Sequence, residues 1–145
     1  GNGLGPDAAA ALADGLKSNN TLRDLQLYRN LVGDAGASAL AGALQVNNTL
    51  RALSLRENGI GDGGAVALAE ALELNQTLVT LSLTENLIGD SGAVALAGAL
   101  TRNQTLKVLT LENNPITGAG RARLRPFAQL DRVAVELYPW DPVSA

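Results

Sequence analysis

A chain of 145 residues with a net charge of −3 and no Cys, His or Met has room for one domain and lacks several reactive groups. The missing thiol and imidazole exclude disulfides, Cys- or His-based metal sites and the commonest general base, and the negative charge argues against a phosphate-backbone partner. Hydrophobic residues make up 46% but aromatics only 3%, so a core must be built from Leu and Ala, and no apolar run approaches a membrane span or a signal peptide.

The first 20 residues read as the latter half of a unit that recurs in full at residues 21–48, 49–76, 77–104 and 105–132. Asn2 aligns with Asn30, Gly5 with Gly33, Leu12 with Leu40, Leu16 with Leu44 and Asn19 with Asn47. The second and third full units agree at 20 of 28 positions, too many for chance. A fixed period of this length predicts a single solenoid domain over 1–145, each unit burying its apolar face only against its neighbours. The opening half unit supplies a helix without its strand. The strand at 23–27 is therefore expected at an open sheet edge, through which the chain could self-associate. The missing strand and the absence of Met predict an excised or processed chain once preceded by more repeats or another domain. A short array capped by its first helix is the alternative.

Each full unit begins L-x-x-L-x-L-x-x-N-x-(V/I), which in the third is Leu78, Leu81, Leu83, Asn86 and Ile88. The L-x-L alternation predicts a short strand with its leucines on one face. The column Asn30, Asn58, Asn86 and Asn114 stands where the chain leaves the strand. An amide both donates and accepts, so stacked Asn side chains suit unpaired turn backbone better than a ligand. Next, G-D-x-G-A-x-A-L-A-x-A-L predicts a helix with Asp34, Asp62 and Asp90 as N-caps. Leu68 and Leu72, with their equivalents, should face the core, and Gly36, Gly64 and Gly92 should mark a close backbone approach. The helices are expected to end near Asn47, Asn75 and Asn103, where Asn tolerates a left-handed cap. Asn-x-Thr at 19–21, 47–49, 75–77 and 103–105 matches the glycosylation sequon. The local reading explains it: Asn closes a helix and Thr opens the approach to a strand.

These columns resemble the leucine-rich repeat family, specifically its 28-residue ribonuclease-inhibitor-like class, over residues 2–132. The resemblance implies an α/β solenoid, a curved horseshoe segment with a parallel β-sheet on the concave face and α-helices on the convex face. Strand and helix alternating in series give the same architecture from first principles. Strands pack about 4.8 Å apart and helices about 8–10 Å, so the array must bend. Small residues such as Ala65, Ala67, Ala69 and Ala71 predict close helix spacing and shallow curvature.

The last unit departs from the pattern. Arg121, Arg123 and Arg125 replace alanines, and Pro126 stands mid-helix, so the helix is expected to end or kink near Arg125. Phe127 and Leu130 should fill the space left, and Val133, Val135 and Leu137 should form a last strand. Tyr138, Pro139, Trp140 and Pro142 should form an irregular cap, within residues 133–145, with Trp140 as a lid on the core. The Arg cluster reads as a solvated outer face, with a patch for an anionic partner as the alternative.

Function is expected on the concave face. Its floor columns, Asp24, Ala52, Thr80, Val108 and Gln26, Ser54, Ser82, Thr110, are small and mostly neutral. Richer columns follow each strand: Tyr28, Arg56, Thr84, Glu112 and Arg29, Glu57, Glu85, Asn113. Arg23 and Arg51 lie at the strand entry, with Lys107 further along. Positive charge gathers on the first two strands and negative charge on the middle and last, which suits steering of a protein partner. The candidate partner-binding residues are Arg23, Tyr28, Arg29, Arg51, Arg56, Glu57, Glu85 and Glu112. Tyr28 and Arg56 are hot-spot types, while Arg29 and Glu57 also suit a simple cross-strand pair. The chain is read as a protein-interaction module of a larger protein, with no catalytic residue, cofactor or metal, no nucleic acid and no membrane. Extracellular members of the family usually carry Cys-clamped caps, so the resemblance implies a cytoplasmic setting. The same class includes the Ran GTPase-activating protein, which leaves GTPase activation through Arg29, Arg56 and Asn113 as an alternative. A structural spacer or engineered repeat scaffold is another.

Overall fold

The computed structural model describes residues 1–128 and 134–137. Five helices and five strands alternate: α1 (Pro6–Ser18), β1 (Asp24–Gln26), α2 (Gly33–Leu44), β2 (Ala52–Ser54), α3 (Asp62–Leu74), β3 (Thr80–Ser82), α4 (Asp90–Arg102), β4 (Val108–Thr110), α5 (Gly118–Ala128) and β5 (Ala134–Glu136). The strands form one parallel sheet in chain order, so every crossover leads to the adjacent strand. This is the expected α/β solenoid. Leu25, Leu53, Leu81, Leu109 and Val135 stand abreast across the sheet. Leu53, Leu55, Ile60, Leu68 and Leu72 of one unit are completely buried between sheet and helices. Each such side chain contributes roughly 1.5–3 kcal/mol, and the period-two alternation leaves Ala52 and Ser54 on the opposite, partly exposed face.

β1 is an edge strand, as expected. Beside it an apolar groove of about 240 Å³ opens at the N-terminal end of the core, lined by Leu12, Leu16, Leu22 and Leu25 among others. β5 confirms the last strand around Val135. Leu130, Val133, Tyr138, Pro139, Trp140 and Pro142 lie outside the described residues. Among the described residues no helix is long and apolar enough to cross a membrane.

The glycines of the first helical turn stand where units touch. A Cβ on Gly92 would lie 2.7 Å from Ile88 Cγ2 and 2.9 Å from Ala65 Cβ of the preceding helix. Only a residue without a side chain fits there.

Three local expectations are corrected. Asp34, Asp62 and Asp90 do not cap their own helices: α3 and α4 begin after Gly61 and Gly89 with no side-chain cap from those residues. Each Asp caps the helix of the following unit instead. Asp34 Oδ1 accepts from the amides of Gly61 and Gly64 at 2.7 and 3.0 Å, and Asp90 Oδ1 from Thr117 and Gly120 at 2.8 and 3.2 Å. Asn75 and Asn103 are not left-handed; they are extended, with φ −75°. An extended backbone turns the amide inward. Asn75 Nδ2 donates to the carbonyls of Leu44 and Asn47, at 2.8 and 3.1 Å, and its Oδ1 accepts from the amides of Thr77 and Leu78. The Asn of the sequons at 47, 75 and 103 is thus a buried structural group. Finally, α5 runs on to Ala128, past Arg125 and through Pro126. Pro126 lies near the end of the helix, where the bond it cannot donate is one of the last.

Candidate interaction surface

The second Asn column fixes the turn at the strand exit. Asn86 Nδ2 donates to the carbonyls of Leu55 and Leu83, and its Oδ1 accepts from the amides of Asn58 and Ile60, both at 3.0 Å. Every polar atom of the amide is used within the fold, which supports the structural reading. The residue before each of these Asn side chains takes positive φ: Arg29 at 57°, Glu57 at 53°, Glu85 at 56° and Asn113 at 55°. Left-handed backbone costs an L-residue roughly 1–2 kcal/mol, so three charged candidates occupy strained turns.

These turns bring five of the eight candidate residues into one rim. Arg29 Nε donates to Glu57 Oε2 at 2.9 Å, Arg56 Nε lies 3.2 Å from Glu57 Oε1, and Arg56 Nη2 lies 2.5 Å from Glu85 Oε1. The result is a chain Arg29–Glu57–Arg56–Glu85 across three strands. Glu57, by hydrogen bond and charge, holds the Arg29 guanidinium above its ordinary pKa. The simple cross-strand pair is therefore real, and it extends into a network. Tyr28 stands beside it, 51% exposed.

Glu112 belongs to a different group. Its Oε2 accepts from Thr84 Oγ1, and Thr84, Thr110 and Ser82 are linked by hydroxyl hydrogen bonds of 2.8 Å. On the next strand, loss of water raises the Glu136 carboxyl above its ordinary pKa, followed by the charge of Glu112 and a hydrogen bond shared with it. Sequence reasoning missed Glu136. β4 and β5 pair Val108 with Ala134, a step of 26 residues, whereas β1 and β2 pair Asp24 with Ala52, a step of 28, so the column slips out of period.

Arg23 and Arg51 are not part of that rim. They stand at the opposite, entry end of the strands in one column with Val79 and Lys107. The amide of Arg51 donates to the Arg23 carbonyl, Val79 to Arg51 and Lys107 to Val79, at 2.7–2.8 Å. Charge on the face is thus divided across the strands as well as along the array. One rim is basic; the other carries its Arg residues paired and leaves Glu112 at its far end, beside Glu136, which stands abreast of Thr110 in the floor column. Between them lies the expected floor of small side chains, Ala52, Ser54, Thr80, Ser82, Val108 and Thr110, all partly buried.

Among solved structures, a leiomodin-1 fragment described as actin-binding site 2 superposes with a TM-score of 0.78 at 18% identity, over 96% of this chain and 82% of that one. The tropomodulin C-terminal domain of Caenorhabditis elegans gives a TM-score of 0.74 at 14% identity, over 94% and 86%. At such identities the likeness is one of fold. No curated protein matches the sequence. The sequence pattern of the family described as Leucine Rich repeat matches residues 18–41, 46–69, 74–97 and 102–124, one segment for each junction of the array. Most of the chain carries that pattern: the protein belongs to the leucine-rich repeat family, with the 28-residue unit of the ribonuclease-inhibitor-like class.

Proposed function

We propose that the chain is a protein-interaction module whose partner docks on the concave sheet face, against the rim formed by Tyr28, Arg29, Arg56, Glu57 and Glu85. One observation carries this reading. The charged side chains of that rim bond to one another and to nothing the core requires; Arg29 and Arg56 stand exposed and Glu57 and Glu85 partly exposed beside Tyr28, on a sheet whose other face packs against the core. A rigid, preorganised surface of this kind limits the entropy lost on docking. The actin-binding description of the leiomodin-1 fragment makes actin a partner to test first. The absence of Cys supports a cytoplasmic setting.

The test is affinity capture on the immobilised chain, with purified actin and with lysate of source cells. A variant with Tyr28, Arg29, Arg56 and Glu57 all changed to Ala serves as comparison. A protein retained by the original and lost by the variant supports the concave-face reading. Identical capture by both overturns it.

A further inference from the structure

The entry rim is built unlike the exit rim, and the difference specifies the partner; the inference rests on the concave-face reading above. Arg23, Arg51 and Lys107 share one column, and all three are exposed. Backbone hydrogen bonds tie that column together, so Arg23 and Arg51 are lateral neighbours at the strand spacing of about 4.8 Å. Like charges side by side on a sheet repel. Among the described residues none of the three forms an ion pair, and Arg23 makes no side-chain hydrogen bond. Arg51 reaches only the carbonyl of Thr77 at 3.5 Å, and Lys107 only that of Gln104 at 3.1 Å. The adjacent carboxylate, Asp24, forms no ion pair with them; its Oδ1 accepts from Gln26 Nε2 at 2.6 Å. On the exit rim, by contrast, both Arg side chains have Glu partners.

We propose that the partner is an acidic polypeptide segment lying along the array, with its carboxylates on Arg23, Arg51 and Lys107 and its backbone over the Ser/Thr floor. Two features select a peptide over a polyanion. The floor is narrow, three residues or roughly 10 Å across, and the carboxylates Glu85 and Glu112 beyond it, with Glu136 at its far end, repel a nucleic acid or an anionic lipid surface. A segment acidic along one edge and neutral or basic along the other meets both rims.

The probe is a phage-displayed library of random 16-residue peptides, panned on the full chain. Three further proteins are used: Arg23→Ser/Arg51→Ser/Lys107→Ser, the charge reversal Arg23→Glu/Arg51→Glu/Lys107→Glu, and a floor-blocking, uncharged Ser54→Trp/Ser82→Trp. All substitute exposed or partly exposed side chains, and circular dichroism checks their folding. The expected result is a set of peptides bearing clustered Asp or Glu, blocked by the floor variant and at least tenfold weaker on the serine variant. Selection on the charge reversal should instead return Lys- and Arg-rich peptides. Peptides blocked by the floor variant but indifferent to the serine variant overturn the rim proposal and leave the concave-face reading standing. If every selected peptide ignores the floor variant, or none is selected, both fall.

Discussion

Asp62 Oδ1 lies 2.9 Å from the amide nitrogen of Gly92, so a carboxylate at the start of α3 caps the helix of the next unit. The same atom takes the Gly89 amide at 2.8 Å. Two orphan donors are satisfied, and a negative charge meets the positive end of α4. Asp62→Ala is expected to cost about 1–2 kcal/mol, read as a lower urea midpoint. Hydrogen exchange should quicken in the first turn of α4 and not in that of α3, which bears the substitution. Quickening confined to α3 would show the cap acting within its own helix.

Two glycines of α4 should respond to alanine with opposite signs. At Gly92 the new Cβ meets Ile88 Cγ2 at 2.7 Å, Asp62 Oδ1 at 2.8 Å and Ala65 Cβ at 2.9 Å, so Gly92→Ala should destabilise by about 1–3 kcal/mol through overpacking. At Gly98 nothing lies within 4 Å, and the residue is exposed in mid-helix. Gly98→Ala should therefore stabilise by about 0.5–1 kcal/mol. Equilibrium denaturation of the two variants side by side tests the pair.

Stability should vary with pH at two carboxyls in opposite senses. The Thr117 hydroxyl, then the Thr117 amide, and that of Gly120 hold the Asp90 carboxylate below its ordinary 3.8. A lowered folded pKa stabilises the fold above the unfolded value, and the benefit is lost as pH falls through the folded one. Glu136 is raised above 4.5, so its favourable protonated state is fully present below that value and is lost as pH rises through the folded pKa. Melting temperatures between pH 3 and 7 should therefore show Asp90→Asn losing most at neutral pH. Glu136→Gln should gain at neutral pH and change nothing at the acid end. A gain for Glu136→Gln only in acid would reverse the assigned sign.

The left-handed turns give a further prediction. Glu85 has φ 56°, where a β-branched residue is strongly disfavoured and glycine is at ease. Glu85→Val should cost about 1–2 kcal/mol. Glu85→Gly should be neutral or stabilising, because it relieves the backbone while losing an exposed ion pair with Arg56 worth about 0–1 kcal/mol. Equal destabilisation by both would mean that the side chain, not the backbone, matters there.

The repeat period made most of the fold legible. It located the first four strands, the buried leucines, the open edge at β1 and the glycine contacts, while the alternation around Val135 gave the fifth strand. What it could not give was direction. Asp62 was readable as a cap but not as a cap of its neighbour, because a column of identical residues looks the same whichever neighbour it serves. The Asn75 backbone was misread because its side chain, buried and bonded across the junction, holds the turn extended. On the candidate surface, the pairing of Arg29 with Glu57 was visible from the shared column. Lys107 was visible too: three periods from Arg23, it completes the basic rim. Glu136 was hidden, since the final crossover is shorter than the period by two residues.

The junctions are stitched from both sides. Asp62 reaches forward to Gly89 and Gly92, and Asn75 reaches back to the carbonyls of Leu44 and Asn47. A single unit excised from the array would lose its cap, its amide partners and both apolar walls at once, so no unit is expected to fold alone. Local opening in the middle of the chain then breaks two junctions, while opening at an end breaks one. Unfolding should accordingly travel inward from the termini, and a proteolytic cut between β2 and β3 should leave two fragments far less able to refold separately than to reassemble with each other.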